Sequence, residues 1–175
     1  MRVYWKKEVS SVESGKPKLS PAEGDDDSQL IFADGLPKRL PTDLSHLKIL
    51  ELHLEYVNDV STILCFLRSS PNLEKIAIGL PIDLTKDDET VIKRFEVEGW
   101  SDICLNQLRE VELRDAYCTR FELEFIKLIL AKSPVLEKMV IESTDLMDTD
   151  DLGFLMEVTQ FRRLSPLAQV YYYSR

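Results

Sequence analysis

Four aspartates crowd the stretch DLMDTDDLG: Asp145, Asp148, Asp150 and Asp151. Carboxylates at that density suit a hard cation such as calcium, but the loop order D-x-[DN]-x-[DN]-G with a distal Glu is not met. The same side chains complement the positive end of a helix dipole and cap its first turn. An apolar helical pattern follows at once, so capping accounts for them. His46, His53, Cys65, Cys104 and Cys118 are the histidines and cysteines of the chain. No C-x-x-C spacing occurs, and no histidine stands near Cys65 or Cys118 in sequence, so packed thiols fit better than nucleophiles. Arg162-Arg163 would suit an acidic partner, but basic residues late in a helix are favourable in any case. No catalytic residue, cofactor or metal is expected.

Composition points the same way. The 175 residues carry a formal net charge of −9, with 44% hydrophobic residues to build a core. An acidic chain is a poor match for phosphates, which argues against nucleic acid and against an anionic membrane surface. No apolar run approaches the roughly 20 residues that span a bilayer. The first residues, MRVYWKKEVSSVESG, lack the continuous apolar stretch of a signal peptide. An odd number of unspaced cysteines reads as reduced thiols, hence a cytoplasmic or nuclear location.

The elements that would position these groups repeat. SSPNLEKIAI (Ser69 to Ile78) and KSPVLEKMVI (Lys132 to Ile141) are identical at six of ten positions. The L-x-x-L-x-L pattern of LKILEL (Leu47, Leu50, Leu52) recurs in LEKIAI, LREVEL and LEKMVI, and AQVYYY is read as a fifth strand. Helical spacing lies between strands, in DVSTILCFLRSS, DETVIKRFEVE, FELEFIKLILAKS and DDLGFLMEVTQF. Ser-Pro before the second, fourth and fifth strands marks a helix-to-strand corner, where proline ends the helix. Taking Leu50, Ile76, Val111, Met139 and Tyr171 as equivalent gives spacings of 26, 35, 28 and 32 residues. One strand and one helix cannot bury their own apolar faces, so units of this size must stack.

The expected fold is α/β: a short, irregular leucine-rich-repeat-like solenoid of about five parallel strands alternating with about four helices. A doubly wound α/β domain, and with it a small ligand-binding or enzymatic function, is the alternative. None of the six glycines forms G-x-G-x-x-G or a Walker-type loop, which favours the solenoid. Residues 1–28, polar and broken by Pro and Gly, read as a flexible arm. Residues 29–99 read as a repeat segment, and 100–175 as a unit continuing it.

GLPKRLPTDLSHLKILELHLEYV (Gly35 to Val57) and FLRSSPNLEKIAI (Phe66 to Ile78) resemble the repeat region of plant F-box/FBD/leucine-rich-repeat proteins. Trp100, CLNQLREVEL from Cys104, ELEFIKLILAKSPVLEKMVI from Glu122 and FRRLSPLAQVYYY from Phe161 are similar in order and spacing to the FBD domain of that family. The resemblance implies a protein-interaction module akin to the target-recognition part of a ubiquitin-ligase receptor. Residues 1–46 contain nothing that reads as an F-box. The expected partner is an unknown target protein, and this chain alone is expected not to bind the ligase adaptor, which would require an upstream F-box. A truncated chain without autonomous function is a further alternative.

In an L-x-L strand the residues between and after the leucines point away from the core. That selects Glu51, His53, Ala77, Gly79, Glu112, Arg114, Val140 and Glu142 as a candidate partner-binding row, with a dip at Ala77 and Gly79. Tyr171 to Tyr173 are expected to alternate between core and solvent. With only a weak polar cap before Leu47, self-association is expected through the N-terminal edge.

Overall fold

A computed structural model of the protein describes residues 2–5, 18–21, 27–31, 38–54, 60–79, 100–144 and 151–174. In chain order they form β1 (Arg2–Trp5), β2 (Lys18–Pro21), β3 (Asp27–Ile31), β4 (Ile49–His53), α1 (Val60–Ser69), β5 (Lys75–Gly79), β6 (Glu110–Ala116), α2 (Arg120–Lys132), β7 (Lys138–Ser143), α3 (Asp151–Gln160) and β8 (Gln169–Ser174). All strands belong to one sheet, ordered β2-β3-β1-β4-β5-β6-β7-β8. From β4 to β8 the strands are parallel and follow one another in chain order. The described residues hold three helices where four were expected. The expected second helix, DETVIKRFEVE, lies outside them, as do Asp145, Asp148 and Asp150 of the expected cap.

Each of these five strands is entered through the same turn. The N–H groups of Leu47, Leu73, Leu108, Leu136 and Ala168 donate to the carbonyls of Leu44, Ser70, Leu105, Ser133 and Ser165, at 3.0 to 3.4 Å. Pro71, Pro134 and Pro166 take the second position of three of these turns, where a fixed φ is already suited. The corners also bond to one another. The Lys48 carbonyl accepts from Glu74 and Lys75, that of Glu74 from Arg109 and Glu110, that of Arg109 from Glu137 and Lys138, and that of Glu137 from Gln169. Lys48–Glu74 and Arg109–Glu137 ion pairs follow the same line. The repeated decapeptide is therefore a repeated corner and strand.

The core lies between the inward face of the sheet and the helices. Leu50 and Leu52, Ile76 and Ile78, Val111 and Leu113, and Met139 and Ile141 are buried with Ile63, Leu64, Phe66 and Leu67 of α1 and Phe121, Phe125 and Leu128 of α2. Helix α2 starts on a capping box: the Thr119 hydroxyl accepts from the Glu122 N–H, and the Glu122 carboxylate accepts from the Thr119 N–H. It stops one residue before Ser133-Pro134.

Two expectations are corrected by register. Met139 pairs with Val170, and Tyr171 pairs with Val140 on the outward side. The last strand reaches the core through Ala168, Val170 and Tyr172, one residue tighter than L-x-x-L-x-L. The fifth equivalent position is thus Val170, not Tyr171. At the other end, residues 1–28, read as a flexible arm, contain β1, β2 and the first two residues of β3. β1 runs parallel to β4 from Arg2 opposite Ile49 to Trp5 opposite Leu52. An exposed strand edge is a template for further backbone pairing, and β1 uses it. The N-terminal edge of β4, expected to drive self-association, is occupied.

Candidate functional site

The outward side chains of β4 to β8 form rows across the sheet. Strand register sets Glu51, Ala77, Glu112, Val140 and Tyr171 side by side. The next row runs through His53, Gly79 and Arg114, while Glu142 pairs with Tyr173. The row below holds Lys75, Glu110, Lys138 and Gln169. The eight residues expected to line this face are therefore brought together on it. The register slips after Leu113, and Asp115 takes a left-handed φ of 55° there. That bulge ends the regular part of the face beside Arg114.

Ion pairs knit the centre. Lys75 lies 3.0 Å from Glu110 and 4.0 Å from Glu112, and Arg114 Nε donates to Glu112 Oε1 at 2.7 Å. The Arg114 hydrogen bond, with nearby Lys75 and Lys138, holds the Glu112 carboxyl below the usual carboxylate range. In return the Glu112 contact raises the Arg114 guanidinium. Both groups are pushed toward their charged forms, the opposite of what a general acid at neutral pH requires. Lys138 Nζ stands 5.8 Å from the centre of the Tyr171 ring, within cation–π range. Between these side chains lies an open depression of about 240 Å³, walled by Lys75, Glu112, Lys138, Val140, Glu142 and Tyr173.

The dip expected at Ala77 and Gly79 is filled. A Cβ built on Gly79 would stand 2.6 Å from His53 Nδ1, so the imidazole lies across the glycine, and Ala77 is only 2% exposed. The depression instead lies over β6 and β7, with Lys75 of β5 and Tyr173 of β8 at its rim. Tyr171 and Tyr173 join the face, and the one-residue shift of β8 hid them from a reading that followed the repeat pattern alone.

Behind the sheet, the junction of β6 and α2 holds the one strongly shifted carboxyl among the described residues. Glu122 is fully buried and accepts from the Tyr117 N–H at 2.9 Å and the Thr119 N–H at 2.7 Å. Burial, opposed by those backbone donors, pushes its carboxyl up to about 7. The T-x-x-E spacing was the available signal. Beside it, Cys118 has a φ of 56°, and its Sγ lies 3.7 Å from the Tyr172 hydroxyl. Cys65 is buried and Cys104 exposed. Among the described residues no group of three or more His, Cys, Asp or Glu side chains converges on a possible metal position, and no helix is long and apolar enough to cross a membrane.

No protein-family model matches the chain, and no solved structure matches it. It is 35% identical over 139 residues to an F-box/FBD/LRR-repeat protein of Arabidopsis thaliana, an alignment covering 77% of this chain and 33% of that protein. The chain thus spans about a third of the length of the curated relative it matches. That similarity, alongside the parallel strands and repeated corners, supports a relationship to the plant F-box/FBD/leucine-rich-repeat family.

Proposed function

We propose that this chain is a non-enzymatic protein-interaction module that holds a target protein on the outward face of β4 to β8. The supporting observation is that face itself: charged and aromatic side chains, set in register by five parallel strands, around an open depression at Glu112, Val140 and Glu142. Charge patterns of this kind serve steering and partner selection, and tyrosines supply contact area at little entropic expense. In this reading the β4 to β8 run is a short, irregular leucine-rich-repeat-like solenoid. The sequential strand order and the bonded corners support it, as does the pairing of β6, β7 and β8 onto β5 in the same sheet. The named relative supports a role like that of a plant F-box receptor's target-recognition part. The ligase adaptor would be a partner only through an F-box on the same polypeptide. A cytoplasmic or nuclear location belongs to the same proposal.

The test is capture of partners from plant extract by the full chain, followed by two sets of substitutions. Glu112→Ala with Arg114→Ala and Tyr173→Ala should reduce recovery of a specific partner by at least about tenfold, as for centrally placed interface residues. Lys127→Ala with Glu157→Ala, in the groove beside α2 and α3, should leave recovery unchanged. The reverse outcome would move the interface to the helices.

A further inference from the structure

Among the described residues from 38 onward, the exposed large apolar side chains all belong to the last unit: Leu152, Met156, Leu164, Leu167, Tyr171 and Tyr173. The two consecutive helices α2 and α3 show the contrast directly. The second and sixth residues of α2, Phe121 and Phe125, are 3% and 1% exposed, whereas the second and sixth of α3, Leu152 and Met156, are 70% and 58% exposed. β8 is also an outer strand of the sheet. It pairs with β7, and among the described residues no strand lies along its other side.

Edges of this kind are normally guarded by lysine, proline or a bulge. The β8 sequence QVYYYS has none of these and carries no charge. From Val158 to Ser174 there is no Asp or Glu at all, in a chain of net charge −9. Two copies of so acidic a chain repel one another, and this stretch adds no acidic charge to that repulsion: its charges are Arg162 and Arg163, ahead of the uncharged β8. The strand is also self-complementary. Antiparallel pairing centred on Tyr172 sets Tyr171 opposite the partner's Tyr173, and Val170 opposite the partner's Ser174. The exposed tyrosines of two open faces then meet as two cross-strand aromatic pairs. The Tyr172 hydroxyl keeps its approach to Cys118 in this arrangement.

We propose that β8 is a self-association edge, along which two copies pair antiparallel through Val170–Ser174 about a twofold axis at Tyr172. The sheet then runs continuously across the dimer, and Leu164 and Leu167, at the corner leading into β8, flank the seam. Such an interface is isologous and closes at two subunits. It places both proposed target-binding faces on the same side of one extended sheet.

Sedimentation of the full chain across micromolar to millimolar concentration tests this. The wild-type chain should pass from monomer to dimer and stop there. Successive N–H groups along a strand point to opposite sides, and that of Gln169 points to β7, where it bonds the Glu137 carbonyl. The Val170 N–H therefore faces the open edge, and Val170→Pro should block pairing while sparing the β7 ladder. Tyr173→Lys puts a charge on the edge at an exposed position and leaves the melting temperature of the monomer unchanged. Each variant should weaken dimerisation by at least about tenfold, a change of about 1.4 kcal/mol. Should Val170→Pro fail to fold, Tyr173→Lys alone decides. A wild-type chain that stays monomeric throughout overturns the proposal, as does a dimer whose dissociation constant Tyr173→Lys leaves unaltered.

Discussion

The two flanks of the parallel run end in opposite ways. On one side β4 receives β1 along its length, and Leu50 and Leu52 are as well buried as the inward residues of the central strands. On the other side β8 has β7 as its strand neighbour, and Val170 and Tyr172 are only half-buried. The inward residues on both flanks are apolar and alternate in the same way. Burial in a stacked unit is thus a property of the neighbour as much as of the residue. A solitary unit with a good hydrophobic pattern is still a poor core.

The largest effect should come from probing the two flanks with the same truncation. Leu50→Ala and Met139→Ala each remove a fully buried side chain and should cost about 2–5 kcal/mol in chemical denaturation. Val170→Ala removes a smaller, half-buried side chain and should cost about 1 kcal/mol or less. Equal losses at Leu50 and Val170 would mean that the C-terminal flank is covered as fully as the N-terminal one.

A second contrast lies at the starts of the two consecutive helices. The third residue of α2 is the buried Glu122, whose carboxylate closes that helix start, whereas the third of α3 is Gly153. Glu122→Gln keeps one acceptor but turns an amide N–H₂ toward backbone donors, and should cost about 1–3 kcal/mol. The pH dependence carries a separate signature. The folded carboxyl titrates near 7, above its unfolded value of 4.5, so the folded state binds the extra proton between those values. Stability from this group is fully present below 4.5 and is lost as pH rises through 7. Denaturation midpoints measured from pH 4.5 to 8 should show that decline in the wild type and a shallower one in Glu122→Gln. Parallel curves would show that Glu122 titrates normally.

Corners and strands were legible because their signals are local. Ser-Pro, the L-x-x-L-x-L spacing and the helix patterns act within a few residues, and all five expected strands stand within two residues of their anticipated starts. The register of β8 was not legible, since a one-residue tightening at Ala168-Gln169-Val170 leaves the composition of the segment unchanged yet reverses which tyrosines face outward. β1 was missed because RVYW is too short to show a period, and its pairing is decided by the edge that β4 offers. On the candidate face the row of residues followed from alternation alone. Its relief did not, because the way His53 folds over Gly79 is a matter of side-chain packing between neighbouring strands.

The smallest effect is expected where the face and the core part company. Glu112 and Arg114 form the tightest ion pair at the centre of the outward rows, and both side chains reach solvent. Exposed pairs of this kind contribute little, because water screens the charges and ordering two long side chains offsets the attraction. Glu112→Ala, Arg114→Ala and the double variant should each lie within about 0.5–1 kcal/mol of the wild type. The coupling between the two sites should be a small fraction of the loss at Leu50. Because Glu112 is held below its ordinary range, the pairing contribution is present above that range and disappears as pH falls through the lowered value. A double-mutant cycle at neutral pH and again in acid measures both. A coupling that rivals a core truncation, or one that survives in acid, would make this pair a structural clasp between adjacent outward positions of β6, and would remove the central reason for regarding the face as a surface kept for a partner.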